Sequence, residues 1–213
     1  MKYDETWQVM AIAPVIPVVV VPEAAAGVEI ARALVAGGIG VIEVTLRTEA
    51  GLAAIEAIVN EVDDICVGAG TVWTAAQATQ AIDVGAEFLV SPGIAEEVNG
   101  VAKTRDIAYL PGAQTVSEIA HLRRQGVSAT KLFPASVVGG PSAIKAFSSV
   151  FPDLVFCPTG GIKEDTAADY LALDCVPCVG GSWLVSADAV AAGDWGSIRG
   201  AAERALALAL ASD

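Results

Sequence analysis

Basic side chains are scarce in this sequence. Its 213 residues contain 12 Lys and Arg against 25 Asp and Glu, which gives a formal net charge of −13. A surface that binds nucleic acid or an anionic membrane neutralises phosphates with many Lys and Arg side chains, so this balance argues against both kinds of partner. Any anionic ligand must be bound by a few local cations and by backbone N–H groups.

The sequence predicts neither a secretory leader nor a membrane-spanning run. Asp4 and Glu5 stand where a signal peptide would be basic. The apolar stretch that follows is too short to cross a bilayer and is interrupted by Pro14, Pro17 and Pro22. We therefore expect a cytoplasmic protein with no membrane partner. The apolar content of 54% excludes disorder, and the length suits a substantial core.

Cysteine and histidine are few. The four cysteines are in or beside apolar, strand-like segments, and the one histidine, His121, is remote from the C-x-x-C pair formed by Cys175 and Cys178. A zinc site would need a second pair of ligands, and a redox pair would need a helix after its first cysteine. The proline inside the motif and the VGG after it indicate a turn that enters a strand, so we expect a structural role for this pair.

Eight apolar, β-branched runs recur along the chain at intervals of 20 to 25 residues. They begin near residues 15, 40, 65, 87, 107, 129, 154 and 176, and Ala-rich stretches with helical periodicity separate them. Capping boxes and glycines mark several predicted helix starts and ends: Thr74 with Gln77, Thr115 with Glu118, Gly37, Gly38, Gly85 and Gly126.

Strands that are apolar throughout and alternate with helices predict a parallel α/β sheet. Eight such units predict one (β/α)8 TIM barrel domain over residues 1–213, with a short N-terminal helical lead-in and an amphipathic closing helix. An open doubly wound sheet is the alternative, but the stretch VVVVPEAAAG lacks the glycine-rich dinucleotide signature expected after its first strand.

Charged residues stand near the ends of two of these strands, where a TIM barrel carries its active site. Period-two alternation places Glu43 and Arg47 on the face of the second strand that points into the barrel. The same alternation points Lys131 inward from the sixth strand. Burial favours the neutral amine of a lysine, and a neutral amine is a nucleophile for carbonyls. Two structural alternatives remain open: an ion pair between Glu43 and Arg47, and one between Glu43 and Lys131.

Glycine-rich turns follow the seventh and eighth strands, in CPTGGI and VGGSWLV. Gly180, Gly181 and Ser182 lead toward a predicted short helix, whose N–H groups would suit a phosphate. Such turns are also common for steric reasons alone. Thr71, after the third strand, is a candidate for binding a substrate carboxylate or, equally, for capping the next helix.

Six motifs in this order resemble the bacterial 2-keto-3-deoxy-6-phosphogluconate aldolases, which are also known for 4-hydroxy-2-oxoglutarate aldolase activity. The motifs are GGIGVIEVTLRT, VGAGTV, SPGI, TKLFPASVVGG, FCPTGGI and GGSWLV, and the resemblance covers residues 15–194. It implies a class I aldolase of the Entner–Doudoroff pathway on a (β/α)8 barrel, a homotrimer that needs no metal or other cofactor. Thr130 and Gln114 depart from the residues usual in the family.

The resemblance also assigns roles to residues. Lys131 corresponds to the Schiff-base lysine, Glu43 to the acid/base carboxylate, and Arg47 and Thr71 to the groups that bind the pyruvate carboxylate. The remaining residues of the substrate site are Pro92, Phe133, Thr159, Gly160, Gly161, Gly180, Gly181 and Ser182. The expected ligand is a phosphorylated keto acid, cleaved to pyruvate and glyceraldehyde 3-phosphate.

Four alternatives for function stay open at this point. The same imine chemistry could act on an unphosphorylated 4-hydroxy-2-oxo acid, giving pyruvate and glyoxylate from 4-hydroxy-2-oxoglutarate, or decarboxylate oxaloacetate. It could also act on a C4 epimer such as 2-keto-3-deoxy-6-phosphogalactonate. A phosphate-binding barrel with another activity, or with none, would leave the inward Lys131, Glu43 and Arg47 without a common explanation.

Overall fold

The computed structural model of the protein describes residues 6–210. Its helices, in chain order, are α1 Thr6–Met10, α2 Ala24–Ala36, α3 Gly51–Glu61, α4 Ala75–Asp83, α5 Glu96–Arg105, α6 Val116–Arg124, α7 Gly140–Val150, α8 Ala167–Leu171, α9 Ala187–Ala192 and α10 Trp195–Leu210. Its strands are β1 Val15–Val19, β2 Val41–Thr45, β3 Cys66–Gly70, β4 Phe88–Val90, β5 Ala108–Leu110, β6 Gly112–Ala113, β7 Ala129–Leu132, β8 Val155–Pro158 and β9 Val179–Gly181.

The strands form two parallel sheets, as their continuous apolar character predicts. One has the order β5-β4-β3-β2-β1-β9 and the other the order β6-β7-β8. Each of the eight apolar runs contains a strand. The helical lead-in is α1, although residues 1–5 lie outside the described part of the chain, and the closing helix is α10.

The fifth apolar run divides into β5 and β6 at Pro111, where the strand changes its neighbour. β5 pairs with β4, whereas β6 pairs with β7. The carbonyl of Pro111 accepts two hydrogen bonds from β7, one from the Lys131 N–H and one from the Thr130 hydroxyl, both 2.8 Å long. Thr130 is fully buried, so this bond satisfies a polar group that would otherwise be costly inside the core.

The second connection between the sheets is at the other edge. Thr159, just after β8, forms an isolated parallel bridge with Gly180 of β9. The buried apolar side chains from Met10 to Ala205 belong to one contiguous cluster that includes both sheets and the inner faces of the helices. The helices therefore cover the strands with their apolar faces, and this holds also for the charged helices α5 and α6.

The helix boundaries follow the predicted signals. Both capping boxes are present, with Thr74 accepting from the Gln77 N–H in α4 and Thr115 accepting from the Glu118 N–H in α6. Gly38, with φ of 87°, follows α2, and two further glycines with positive φ follow α4 and α6. Within residues 6–210, no helix has both the length and the apolar character that a bilayer crossing requires.

Candidate active site

Glu43 and Lys131 meet inside the molecule although their strands belong to different sheets. The Lys131 Nζ lies 3.1 Å from Oε1 and 3.3 Å from Oε2 of Glu43. The two residues are 88 positions apart and only 3–4% exposed. Because β2 and β7 are not neighbours, this contact requires both side chains to point into a shared interior, and the prediction from alternation is confirmed.

The two groups of the buried pair are close enough to exchange a proton. Removing two charges from water is costly, and their attraction offsets that cost only when the contact is close. The ring of Phe133 lies beside the pair, with its centroid 5.6 Å from the Lys131 Nζ. Since the carboxylate is within hydrogen-bond distance of the amine, Glu43 can accept a proton from Lys131 and leave a nucleophilic amine.

Arg47 lies outside the strand on which the sequence placed it. β2 ends at Thr45, so Arg47 belongs to the turn that follows, where it is exposed. Its Nε donates a 3.2 Å hydrogen bond to the Thr71 hydroxyl. Among the described residues the ion-pair partner of Glu43 is Lys131, so the suggested pair of Glu43 with Arg47 is wrong.

Thr71 holds its hydroxyl at this position at a conformational cost. Its φ of 61° is in the left-handed region, which β-branched residues rarely adopt. The alternative that Thr71 caps the next helix is wrong, because Thr74 is the residue that caps α4. Arg47 and Thr71 together present N–H and O–H donors at the strand ends, an arrangement that suits a carboxylate.

The two glycine-rich turns are adjacent in the structure. The bridge between Thr159 and Gly180 brings the loops after β8 and β9 together. Gly160 and Gly161 have φ of 98° and 76°, so their backbone needs glycine, and they present N–H groups in a turn without side chains. Ser182 is exposed immediately after β9.

A short helix follows the second turn, as expected, but only after a loop. This helix, α9, begins at Ala187, and the Ser186 side chain accepts a hydrogen bond from the Ala189 N–H. Residues 182–185 form a loop between the end of β9 and the start of α9. A phosphate here would be bound by loop N–H groups and hydroxyls rather than by a helix N-terminus.

Two further residues, Phe133 and Pro92, line the same end. Phe133 is half-buried between Lys131 and Gly160, where a β-carbon on the glycine would lie 3.1 Å from the Phe133 ring. The backbone of Pro92 packs directly on Gly112, whose partner in register on β7 is Lys131. Glu43 and Gly180 are at the middle of their strands, and the other predicted site residues are near the carboxyl ends of strands or in the loops that follow.

The structure adds one residue that the sequence analysis missed. Ser136, in the loop after β7, packs on Gly161 so closely that a β-carbon on the glycine would lie 2.7 Å from the Ser136 Cβ. Its hydroxyl therefore lies at the edge of the turn formed by Gly160 and Gly161. The sequence offered one indication of this role: Ser136 is five residues after Lys131, in the loop that follows a strand with a predicted site residue.

A thiol pair lies next to the lysine. Cys157 is the partner of Lys131 in register between β7 and β8, and its Sγ is 3.7 Å from that of Cys178. The hydrogen bond from Cys178 lowers the pKa of Cys157, burial opposes this effect, and the charge of Lys131 adds to it. Burial raises the pKa of Cys178. Cys178 thus contacts Cys157 rather than Cys175, and the C-x-x-C segment is a turn before β9, as predicted.

A groove of about 990 Å³ lies to one side of this site. It is lined by apolar residues of β1, α2 and α9 and reaches Thr48 and Ser182, but it does not include Lys131 or Glu43. Within residues 6–210, no three His, Cys, Asp or Glu side chains cluster as a metal site.

Fold and site together define a parallel α/β protein with a lysine–carboxylate pair buried in its interior. Comparison with known proteins is specific. The sequence model described as "Aldolase: KDPG and KHG aldolase" matches residues 7–201. The 2-dehydro-3-deoxy-phosphogluconate aldolase of Pseudoalteromonas atlantica is 46% identical over 91% of this chain and 90% of that protein.

Further relatives agree with this match. The KHG/KDPG aldolase of Escherichia coli K12 is 46% identical over 91% of each chain. Two solved structures superpose closely: the aldolase of Zymomonas mobilis with 3-phosphoglycerate, at 42% identity and a TM-score of 0.91 over 97% of each chain, and that of Legionella pneumophila with pyruvate as a covalent carbinolamine, at 40% identity and a TM-score of 0.92 over 94% of this chain and 98% of that one. The chain belongs to the KDPG and KHG aldolase family, a family of carbon–carbon lyases.

Proposed function

We propose that this protein is a class I aldolase that cleaves 2-keto-3-deoxy-6-phosphogluconate reversibly to pyruvate and glyceraldehyde 3-phosphate through a Schiff base on Lys131. The observation that carries the proposal is the buried contact of 3.1 Å between the Lys131 Nζ and Glu43. It places a carbonyl nucleophile and a proton acceptor in contact inside the molecule, the combination that imine formation requires.

The first half of the reaction forms the imine. Glu43 accepts a proton from Lys131, and the neutral amine attacks the C2 ketone to give a carbinolamine. Protonation of the C2 hydroxyl lets it leave as water, and the nitrogen lone pair forms the C=N bond. The resulting protonated imine is an electron sink next to C3.

The second half breaks the carbon–carbon bond. Glu43, through a water, takes the proton of the C4 hydroxyl, and the C3–C4 electron pair moves into the imine to form an enamine. The fragment that begins at C4 leaves as the aldehyde. Glu43 then returns a proton to C3 of the enamine, and hydrolysis of the imine releases pyruvate and restores the Lys131 amine.

Binding is assigned to the two ends of the site. Arg47 and Thr71 bind the pyruvate carboxylate, for which the exposed guanidinium and the 3.2 Å contact between their side chains provide support. At the other end, the loops with Gly160, Gly161 and Ser182 bind the phosphate, and its binding energy orients the reacting carbons. Thr159 and Phe133 line the space between.

The relatives support this assignment. The Legionella pneumophila structure contains pyruvate as a covalent carbinolamine, the intermediate that precedes the imine, and the Zymomonas mobilis structure contains 3-phosphoglycerate, a phosphorylated three-carbon acid. The E. coli relative, named KHG/KDPG aldolase, favours a second candidate substrate, 4-hydroxy-2-oxoglutarate, which would be cleaved to pyruvate and glyoxylate by the same steps.

A substrate panel tests the proposal and ranks its two candidates. Pyruvate release is measured with 2-keto-3-deoxy-6-phosphogluconate, with its C4 epimer 2-keto-3-deoxy-6-phosphogalactonate and with 4-hydroxy-2-oxoglutarate. Of the three substrates, 2-keto-3-deoxy-6-phosphogluconate should have the highest kcat/KM. Ser182→Ala should lower that value by about tenfold, because a hydrogen bond to a charged group is lost, and should leave 4-hydroxy-2-oxoglutarate cleavage unchanged. Release of pyruvate from none of the three would refute the proposal.

We also propose that the two sheets form one closed (β/α)8 barrel in a single domain. Three observations support it: the strand that continues through Pro111, the bridge from Thr159 to Gly180, and the contact between β2 and β7 through Glu43 and Lys131. The homotrimer, the cytoplasmic location and the Entner–Doudoroff pathway stay predictions. Light scattering of the purified protein would test the trimer.

A further inference from the structure

Gly70, the last residue of β3, lies directly beneath the carboxylate of Glu43. A β-carbon at residue 70 would be 2.6 Å from Cγ and 2.7 Å from Cδ of Glu43, and closer still to Oε1. Carbon atoms that are not bonded stay more than 3 Å apart, so no residue with a side chain is compatible with the observed position of Glu43. The pairing register makes the approach possible, because Glu43 is opposite Gly68 and leans over the next inward position on β3.

A second glycine on the same strand accounts for the direction of this lean. A β-carbon at Gly68 would overlap the ring of Phe88, which reaches across from β4. Phe88 therefore fills the space over the residue opposite Glu43, and the space over Gly70 remains for the carboxylate. Each glycine leaves room for one neighbouring side chain: Gly68 for the apolar ring of Phe88, and Gly70 for the carboxylate of Glu43.

The backbone of Gly70 does not itself require glycine. Gly70 is in a regular strand, is paired with Thr45 and does not have a φ in the left-handed region. Its carbonyl accepts a 2.8 Å hydrogen bond from the Leu46 N–H, which any residue could provide. The three heavy atoms nearest to a β-carbon built on Gly70 all belong to Glu43, so the steric demand comes from that side chain.

We propose that Gly70 is a positioning residue for proton transfer, whose missing side chain allows the Glu43 carboxylate to lie against the Lys131 amine. The inference rests on the proposed function and adds a residue to it. An alanine would displace the carboxylate by several tenths of an ångström or more. Misplacement of a reacting group by about 1 Å can cost on the order of 100-fold in rate.

The test compares Gly70→Ala with Gly68→Ala, a matched control on the same strand and face. Gly70→Ala should lower kcat by about 100-fold and change KM by less than about threefold, since the nearest atoms that the new β-carbon meets belong to Glu43 and not to Arg47. Gly68→Ala meets Phe88 instead, so it should lower Tm by at least as much while reducing kcat far less.

Two double variants separate positioning from general damage. Glu43→Gln keeps the shape of the side chain but removes its base, so adding Gly70→Ala should lower kcat little further. Glu43→Ala removes the obstructing side chain, so the Tm loss caused by Gly70→Ala should largely disappear in that background, even if Gly70→Ala alone is too unstable for kinetics. Multiplicative kcat losses with Glu43→Gln, an undiminished Tm loss with Glu43→Ala, or kcat losses equal to those of Gly68→Ala would overturn the inference.

The two proposals fail in different ways. If the proposed function is wrong, the wild-type protein forms no borohydride-stable adduct with pyruvate, and the role of Gly70 falls with it. If only the inference is wrong, the wild-type protein forms the adduct and Gly70→Ala forms it at the same rate.

Discussion

Lys131–Glu43 and Arg123–Asp153 are both contacts between a cation and a carboxylate, but they lie in opposite surroundings. The first is inside the molecule, with side chains 5% and 4% exposed, and the second joins α6 to the segment before β8, with side chains 50% and 54% exposed. Their shortest N–O distances are 3.1 Å and 2.6 Å. The shorter contact is therefore the one in water.

The difference bears on why each pair is present. Water solvates an exposed pair almost as well when it is broken, so such pairs contribute little to stability. A buried pair must overcome the loss of hydration, and apolar residues of similar volume would often be as stable or more stable. On the proposed function, the buried pair is present for its chemistry and the exposed pair is not. The predictions below test that contrast from the largest expected effect to the smallest.

Replacing the lysine should abolish activity while its effect on stability depends on Glu43. Lys131→Met should lower kcat/KM by at least about 10⁴-fold, because no other amine can form the imine. It should also reduce the free energy of unfolding by about 3–5 kcal/mol, since it leaves a buried carboxylate without its partner. The double variant Lys131→Met with Glu43→Met should be equally inactive but regain wild-type stability, as measured by chemical denaturation. A double variant as unstable as the single one would contradict this view of the pair.

Removing only the base should slow the chemistry. Glu43→Gln keeps the volume of the side chain, so it should lower kcat by about 10²- to 10⁴-fold, the range of general acid–base catalysis, and slow adduct formation with pyruvate. Steady-state and single-turnover kinetics would measure both effects. Normal turnover by this variant would show that Glu43 is not the proton shuttle.

Arg47 should affect binding more than chemistry. Arg47→Ala should raise the KM for pyruvate in the aldol direction by about 10- to 100-fold, because a charge-assisted hydrogen bond to the carboxylate is lost. Thr71→Ser, which keeps the hydroxyl, provides the matched control and should change KM much less. If kcat fell and KM did not change, Arg47 would have a role other than binding the carboxylate.

Thr130 should contribute to stability alone. Thr130→Val removes the 2.8 Å hydrogen bond to the Pro111 carbonyl but leaves that carbonyl bonded to the Lys131 N–H. The expected cost is about 1 kcal/mol of unfolding free energy with kcat close to wild type. A large fall in kcat would instead give this residue a part in placing Lys131.

The exposed pair should give the smallest effect, with a defined dependence on pH. The hydrogen bond from Arg123 lowers the pKa of Asp153 below its ordinary value. A carboxylate with a lowered pKa stabilises the folded state above its unfolded pKa, and this contribution is lost as the pH falls through the folded pKa. Arg123→Ala should therefore lower Tm by less than about 3 °C at pH 7. The difference from wild type should vanish as the pH falls below the folded-state pKa of Asp153, and it should shrink in high salt.

The sequence predicted the elements and faces of this protein better than the partners of its side chains. The apolar runs predict all eight strand regions, and Thr74 and Thr115 predict two helix starts, because these signals are local. Alternation alone placed Glu43 and Lys131 inside. Which cation pairs with Glu43 could not be derived, because it depends on the contact between β2 and β7, strands that are not neighbours.

The other differences between the structure and the sequence-based predictions also arise from contacts between residues that are distant in the sequence. The division of the fifth strand at Pro111 depends on which neighbour each half pairs with, and the place of Arg47 depends on where β2 loses its partner. Thr130 was a departure from the family that the sequence could not explain, since the acceptor of its hydroxyl is a carbonyl 19 residues away. The family resemblance named the site residues, whereas only the packing shows what holds them.

The central claim is that Lys131 forms a covalent imine, and one measurement tests it most directly. The protein is incubated with pyruvate and borohydride, digested, and the peptides are analysed by mass spectrometry. We predict one reduced pyruvyl group on Lys131, absent from Lys131→Met and from protein treated with borohydride alone. Full turnover of substrate with no adduct on Lys131, or an adduct on another lysine, would contradict the account.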